Sequence, residues 1–412
     1  MEKAKAIIKS WILCYAALFL LCSCTSQEEV EIPVDIKKTD NLTILSANQP
    51  VDSLYLEREE SFGSTDDTLV LVGGSSRNLA RVDDNGRVFI PDRQQNTIHV
   101  FAPDGRYVTH IGREGKGPGE FLIIGSISIS QDQLYVSDDK LRKINVFSLD
   151  SLIFTHSISL NREPQEDSQN ERLSTVIPTT SFLVTNDGNL LLEAMSIFPD
   201  EVEAGSGSET QKKEQGIYNW MNENGEIISD VILSLKSQRG ITENFRGLSL
   251  EISLPVYERP LIAVSREGRI YAAQSGEFLV KAYDENGNYE QSFYYPYENS
   301  PLDRDDLVQR YDHGSNSPGL QAARTRDLPE TWPALHSMLV DDENRLWIST
   351  IVDDQEVYQW WVLDAADGQL LARFRWPRNQ DIQQIKDGKL YAKERDEDGV
   401  ARIARYNIRI ES

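Results

Sequence analysis

The chain has 412 residues, with 42 Lys plus Arg against 66 Asp plus Glu and a formal net charge of -24 at pH 7. So negative a chain repels phosphate backbones, which argues against nucleic acid as a partner and leaves a cationic ligand or Ca²⁺ open. All three cysteines, Cys14, Cys22 and Cys24, lie at the N-terminus, so the body carries no disulfide, no zinc–thiolate site and no cysteine nucleophile.

Taken in chain order, Lys3, Lys5 and Lys9 form a positive leader, followed by an apolar run from Trp11 to Leu21. Crossing a bilayer takes ~20 residues, so this run is too short for that and fits the apolar region of a signal peptide. Leu21-Cys22-Ser23-Cys24 resembles the bacterial lipobox. The small Ser23 then precedes the modified residue, which makes Cys24 the lipidation site; modification at Cys22 would put bulky Leu21 where a small residue is needed. Residues 25–50 are polar and acidic, with Pro33 and Pro50, and read as a flexible tether. Acidic residues soon after the lipidated Cys resemble the surface-export signals of Bacteroidetes lipoproteins.

A unit of turn plus strand then recurs six times. It begins at Asp84, Gln131, Asn186, Arg266, Asp342 and Lys386, and each copy runs into an alternating apolar strand such as Arg87-Val-Phe-Ile90 or Arg345-Leu-Trp-Ile348. Where the turn is Asn-Gly or Asp-Gly, that pair is expected to supply the positive φ angles of a tight hairpin. A second turn follows in most copies, at Asp104-Gly105, Asp150-Ser151, Asn224-Gly225, Asn286-Gly287 and Asp367-Gly368. Each unit therefore reads as a four-stranded antiparallel sheet that can bury both faces only against neighbours. The expected fold is all-β: a six-bladed β-propeller. The sixth unit reaches a third strand near Arg402 to Ile408 and lacks its outer one, so a segment from about Leu54 to Val72 is expected to close the ring. Polar insertions are expected near 161–180, 199–216 and 296–332, with one short helix over Pro301 to Gln309.

The densest motif is Gly112-Arg-Glu-Gly-Lys-Gly-Pro-Gly-Glu-Phe121, preceded by Val88-Phe-Ile-Pro-Asp92 and Thr97-Ile-His-Val-Phe101. Together these resemble an NHL repeat, over about residues 81–148. The whole chain, signal included, is similar to six-bladed propeller lipoproteins of the Bacteroidetes type. The glycine run lacks the Lys-Ser/Thr and helix of a phosphate loop. Its glycines are expected to turn the chain between blades, with Phe121 tucked between two of them.

The resemblance implies that a metal-dependent lyase or lactonase is the alternative reading. Related propellers hold Zn²⁺ or another divalent ion with His or carboxylates in the central channel. Of the five histidines, His99, His110 and His156 fall on middle or outer strands and His313 in an insertion. His336, in Trp332-Pro-Ala-Leu-His-Ser-Met-Leu-Val340, lies near an inner strand. Asp83, Asp84, Asp341 and Asp342 at turns, and Asp92 and Asp138 at strand ends, are expected to hold backbone rather than metal. Trp360, Trp361 and Trp376 are expected to pack between blades. No catalytic residue, cofactor or metal ligand is assigned from these residues, and a divalent cation such as Ca²⁺ has no ligand set to support it. The expected organisation is a signal peptide over 1–23, lipidated Cys24 and tether over 24–50, and a propeller over 51–412. It is anchored in the cell envelope at the outer membrane and binds or scaffolds a protein, peptide or glycan. The surface residues singled out are Arg113, Glu114 and Lys116 in the blade-connecting loop, with His336.

Overall fold

The computed structural model describes residues 32–48, 51–63, 80–160, 176–198, 213–238, 240–312, 314, 316–395 and 399–411. The signal segment, Cys24, His313 and the cores of the insertions at 161–175 and 199–212 lie outside the described residues. Residues up to Lys37 and residues from Lys38 onward are separate units. The described part of the first holds one helical turn, Val34–Lys37.

The second unit is the six-bladed propeller. Blade 1 is built from Arg81–Val82, Val88–Asp92, Thr97–Phe101 and Tyr107–Ile111, and blade 2 from Ile124–Ser130, Gln133–Asp138, Lys143–Ser148 and Phe154–Ser159. Blades 3, 4 and 5 span 176–236, 260–294 and 335–377 in the same antiparallel order. Blade 6 has Asp381–Lys386, Lys389–Arg395 and Ala401–Glu411, and its outer strand is Asp52–Phe62. That strand pairs antiparallel with the last strand of the chain, from Ser53↔Glu411 to Phe62↔Ile403. The N-terminal closure expected from the missing outer strand is therefore present over 52–62; residues 64–72 lie outside the described residues.

Hydrophobic flanks meet between neighbouring blades, as the repeat requires. Phe89, Ile98, Val100 and Ile111 of blade 1 pack on Ile124, Ile127, Leu134, Val136 and Phe147 of blade 2, with Phe121 fully buried among them. Trp360 and Trp361 are adjacent on one strand and so face opposite ways. Trp360 joins Trp376 and Tyr406 between blades 5 and 6, while Trp361 joins Phe278 and Tyr295 between blades 4 and 5. All three tryptophans are inter-blade packing.

Several expectations need correction. In the first, third and fourth units the turn glycine alone takes positive φ (Gly86 at 74°, Gly188 at 83°, Gly268 at 88°). The hairpin there has three loop residues, so the residue before the glycine stays right-handed. Of the six repeat turns, Asp387-Gly388 alone has both residues at positive φ (51° and 66°). The tether expected over 24–50 is not free to its end. Leu42–Ile44 pairs parallel with the outer strand of blade 4, and Leu45, Ala47 and Val51 pack on the core of blades 4 and 5. The 296–332 insertion holds two helices, Arg304–Tyr311 and Pro318–Thr325. The second is capped by Ser317, whose Oγ accepts from Leu320 N–H at 3.2 Å, a Ser-Pro start signal legible in the sequence. A hairpin, Ile241–Phe245 with Leu248–Ile252, was also missed; Arg326 Nε donates to its Glu243 at 2.6 Å. Helices and hairpin share one core with blades 5 and 6 through Leu254, Leu307, Ala322 and Trp332.

Candidate functional site

Strand alternation sorts every connection onto one of two faces. Connections from first to second strand, at 83–87, 131–132, 185–189, 265–269, 341–344 and 387–388, and those from third to fourth strand lie on one face. Apart from 222–232, all of these are turns of five residues or fewer. Connections between blades, and from second to third strand, lie on the other face. They include the glycine loop, the 241–252 hairpin and the two helices. This is the insertion face.

The first-to-second-strand turns meet across the propeller axis. Gln131 Nε2 donates to Asn186 O, and Asn186 N–H donates to Arg266 O at 3.1 Å. Arg266 Nη2 lies 3.3 Å from Asp84 Oδ1, although blades 4 and 1 stand opposite each other in the ring. Asp84 also takes a hydrogen bond from Lys386 Nζ, and Asp387 N–H donates to Asp342 Oδ2 at 3.0 Å. Turns of all six blades are thus laced together. Lys386, then burial in opposition, then Arg266 set the balance on Asp84, whose carboxyl is held below its usual range. The axis is therefore bridged by side chains at the turn face.

The buried turn aspartates serve the backbone, as expected. Asp83 Oδ1 accepts from Asn85 and Arg87 N–H, and Asp341 accepts from Glu343 and Arg345 N–H and from Trp347 Nε1. Asp92 and Asp138 each accept two N–H groups of the following hairpin through Oδ1.

In the glycine loop, Glu120 ties the chain back on itself. Arg113 Nε donates to Glu120 Oε1 at 2.7 Å, and Gly117 N–H donates to Oε2 at 2.8 Å, which holds the Glu120 carboxyl below its usual range. Gly112 has φ 75°, and a Cβ there would stand 2.5 Å from the Phe121 ring, so glycine is required for the close approach. Arg113, Glu114 and Lys116 are exposed on this loop, between blades 1 and 2.

His336 lies elsewhere, at the channel end of blade 5. Its ring stacks on Tyr358 (4.1 Å, 13°), and Arg259 Nη2 donates to its backbone carbonyl and stands 3.3 Å from its Nδ1. The structure therefore does not bring His336 together with Arg113, Glu114 and Lys116; they share a face and sit on opposite sides of the ring. His336 borders a cavity of about 200 Å³ with Pro260, Ser337, Gln380, Asp381 and Gln383, on the inner strands of blades 4, 5 and 6. Trp360 and Trp376 line this cavity but are only 3% and 6% exposed, too little to offer a ring face to a sugar. Sequence reasoning missed Asp381 and Gln383 of this cavity and Arg259 against His336. Each stands at or beside the start of an inner strand, but only the ring turns those starts toward one axis. Among the described residues no three His, Cys, Asp or Glu side chains gather as metal ligands do.

Residues 65–172 match a family described as 6-bladed beta-propeller. A protein from Bacteroides fragilis described as exported has a crystal structure with TM-score 0.50 and 16% identity, covering 90% of this chain and 100% of that chain. A member of the DUF4221 family from Bacteroides vulgatus gives 0.51 and 11%, covering 88% and 100%. At such identity these likenesses are of fold. No curated protein matches the chain.

Proposed function

We propose that this chain is an envelope-anchored lipoprotein whose propeller is a binding module, receiving a protein, peptide or glycan on the insertion face. One observation carries the reading. The turn face carries short turns laced across the axis, while the hairpin, the two helices and the glycine loop all belong to the connections of the other face. Propeller scaffolds place their variable function in such connections, because connections can change without disturbing the blades. The leader, Ser23 and Cys24 support the envelope address, as does a fold relative described as exported.

The test uses a photo-crosslinking amino acid introduced in cells at Glu114 or Lys116, and at Arg106 or Asp367 on the turn face. Adducts of one defined mass from the first pair and none from the second are expected. Adducts from the turn-face pair alone, or equally from both, would overturn the assignment.

A further inference from the structure

We propose that a cavity in the seam between blades 3 and 4 takes a small zwitterion, a free α-amino acid with an apolar side chain, with its carboxylate on Lys281 and its ammonium on Glu258. The site is separate from the insertion-face reading and does not depend on it.

The cavity follows from one exchange in the repeat. At one register position the second strand of each blade turns a side chain onto the preceding blade. Blades 1, 2, 3 and 5 place Ile90, Val136, Leu192 and Ile348 there, each buried in its seam. Blade 4 places Ala272. Blade 6 also has a small residue, Ala392, but Trp360 and Trp376 pack in that seam. The third-strand residues paired with this position in blades 1, 2, 4 and 5 are His99, Asn145, Lys281 and Trp361. In blade 2, Asn145 Nδ2 donates at 3.0 Å to Glu120 O of the connection leading into that blade. In blade 5, Trp361 packs on Phe278 and Tyr295. The connection leading into blade 4 instead sends its 241–252 hairpin to the core of blades 5 and 6. Among the described residues Lys281 Nζ has no hydrogen bond or ion pair. Val280 and Ala282 belong to the core of blades 4 and 5, so the half-buried Lys281 between them faces blade 3. Protein interiors are close-packed, and a missing branched side chain leaves a void. Here it is a cavity of about 320 Å³, lined by Lys281 and Ala272 with Leu235, Leu279 and Tyr283.

Two opposite charges line this cavity without meeting. Glu258 is in its wall, beyond ion-pair distance from Lys281. The one ion pair of Glu258 is with Lys236, at 3.7 Å, and both side chains are at least half exposed, which makes that pair weak. Gly276 makes room for the Glu258 carboxylate, since a Cβ there would stand 2.4 Å from Oε1. Glu277 adds a second carboxylate to the lining. In the same wall Gln274 Nε2 donates to Lys236 O at 3.1 Å, while its Oε1 is buried without a hydrogen-bond partner. A simple anion would answer Lys281 and be repelled by Glu258 and Glu277; a simple cation would do the reverse. A ligand carrying both charges makes a charge-assisted hydrogen bond at each end. The apolar wall of Leu235, Ala272 and Leu279 then suits its side chain. The volume is at the small end of the ~300–1,000 Å³ usual for ligand pockets, which sets the ligand at about the size of one amino acid.

The experiment is titration calorimetry on the full chain with leucine, with 4-methylpentanoate, which lacks the ammonium, and with 3-methylbutylamine, which lacks the carboxylate. Saturable leucine binding at least tenfold tighter than that of either analogue is expected. Lys281→Met should weaken it at least tenfold and Lys281→Arg less. Ala272→Ile, which installs the residue of blades 1 and 5, should fill the cavity and abolish binding, with melting curves showing that each variant is folded. No saturable leucine binding, an analogue bound as tightly as leucine, or unchanged leucine binding by folded Lys281→Met or Ala272→Ile would each overturn the proposal. The crosslinks at positions 114 and 116 do not bear on this cavity, so the two readings fail separately.

Discussion

His99 shows how a residue can be correctly placed on its strand and still have surroundings the sequence conceals. It is 7% exposed on the middle of blade 1, with Nε2 3.6 Å from Asp92 Oδ2 and with Tyr107 and His110 as ring neighbours. Burial outweighs the Asp92 charge, and His110 adds repulsion, so the imidazole is held below its ordinary 6.5. The folded state then binds the proton less readily than the unfolded state. The contribution of His99 is complete above about pH 6.5 and is lost as pH falls toward the lower folded value. The urea midpoint of the parent should decline between pH 6.5 and 5, and His99→Gln should flatten that decline; an identical slope in both would show that His99 does not titrate in this window. Asp341 was legible for the opposite reason. A carboxylate ahead of a Glu-Asn turn has local N–H groups to accept, and it does accept them, with Trp347 Nε1 added by the neighbouring strand.

Among the elements, the closing strand 52–62 has the largest consequence. It supplies the fourth strand of blade 6, and its bulge at Glu59 accepts from Lys389 Nζ at 2.7 Å and Arg405 Nε at 3.0 Å. Phe62, 1% exposed, joins Val88, Phe101 and Tyr391 in the core between blades 6 and 1. Removing residues 52–62 would expose both that core and the backbone edge of 401–411. The truncated protein should melt lower by on the order of 10 °C or more and should self-associate through the open edge. A monomer with the parent melting curve would refute the closure. The need for this strand could be read from the sequence by counting: the sixth repeat ends one strand short. Its register could not, because that depends on which face of Ala401–Glu411 meets blade 1. The Ile241–Ile252 hairpin escaped for a related reason. It stands outside the repeat and is held by helices that come later in the chain, through Gln321 and Arg326 on Glu243.

For the whole molecule, the division between faces matters most. A ring of antiparallel blades forces every blade-to-blade connection onto one side, so insertions scattered over the sequence become one surface. The lacing of Asp84, Arg266 and Lys386 adds what topology alone does not, a bridge of side chains across the axis. Anchoring belongs to this scale too. Under the proposed lipidation, Cys24→Ala should move the protein from the membrane fraction to the soluble fraction, since acyl chains on Cys24 would contribute ~0.8 kcal/mol per buried CH₂. Unchanged fractionation would count against lipidation at Cys24.

The sequence by itself determined the number of blades, the open sixth unit, the turn positions and the structural role of the buried aspartates. All of these follow from local periodicity and from what a Gly or Asp does to its own backbone. Only the tertiary structure decided which sides of the strands share a core, that residues 42–44 dock on blade 4, and that side chains bridge the axis at the turn face. It also separated His336 from the glycine loop. Those relations join residues far apart along the chain, in the case of Asp84 and Arg266 across the ring itself, and they come into being only when six sheets close into a circle.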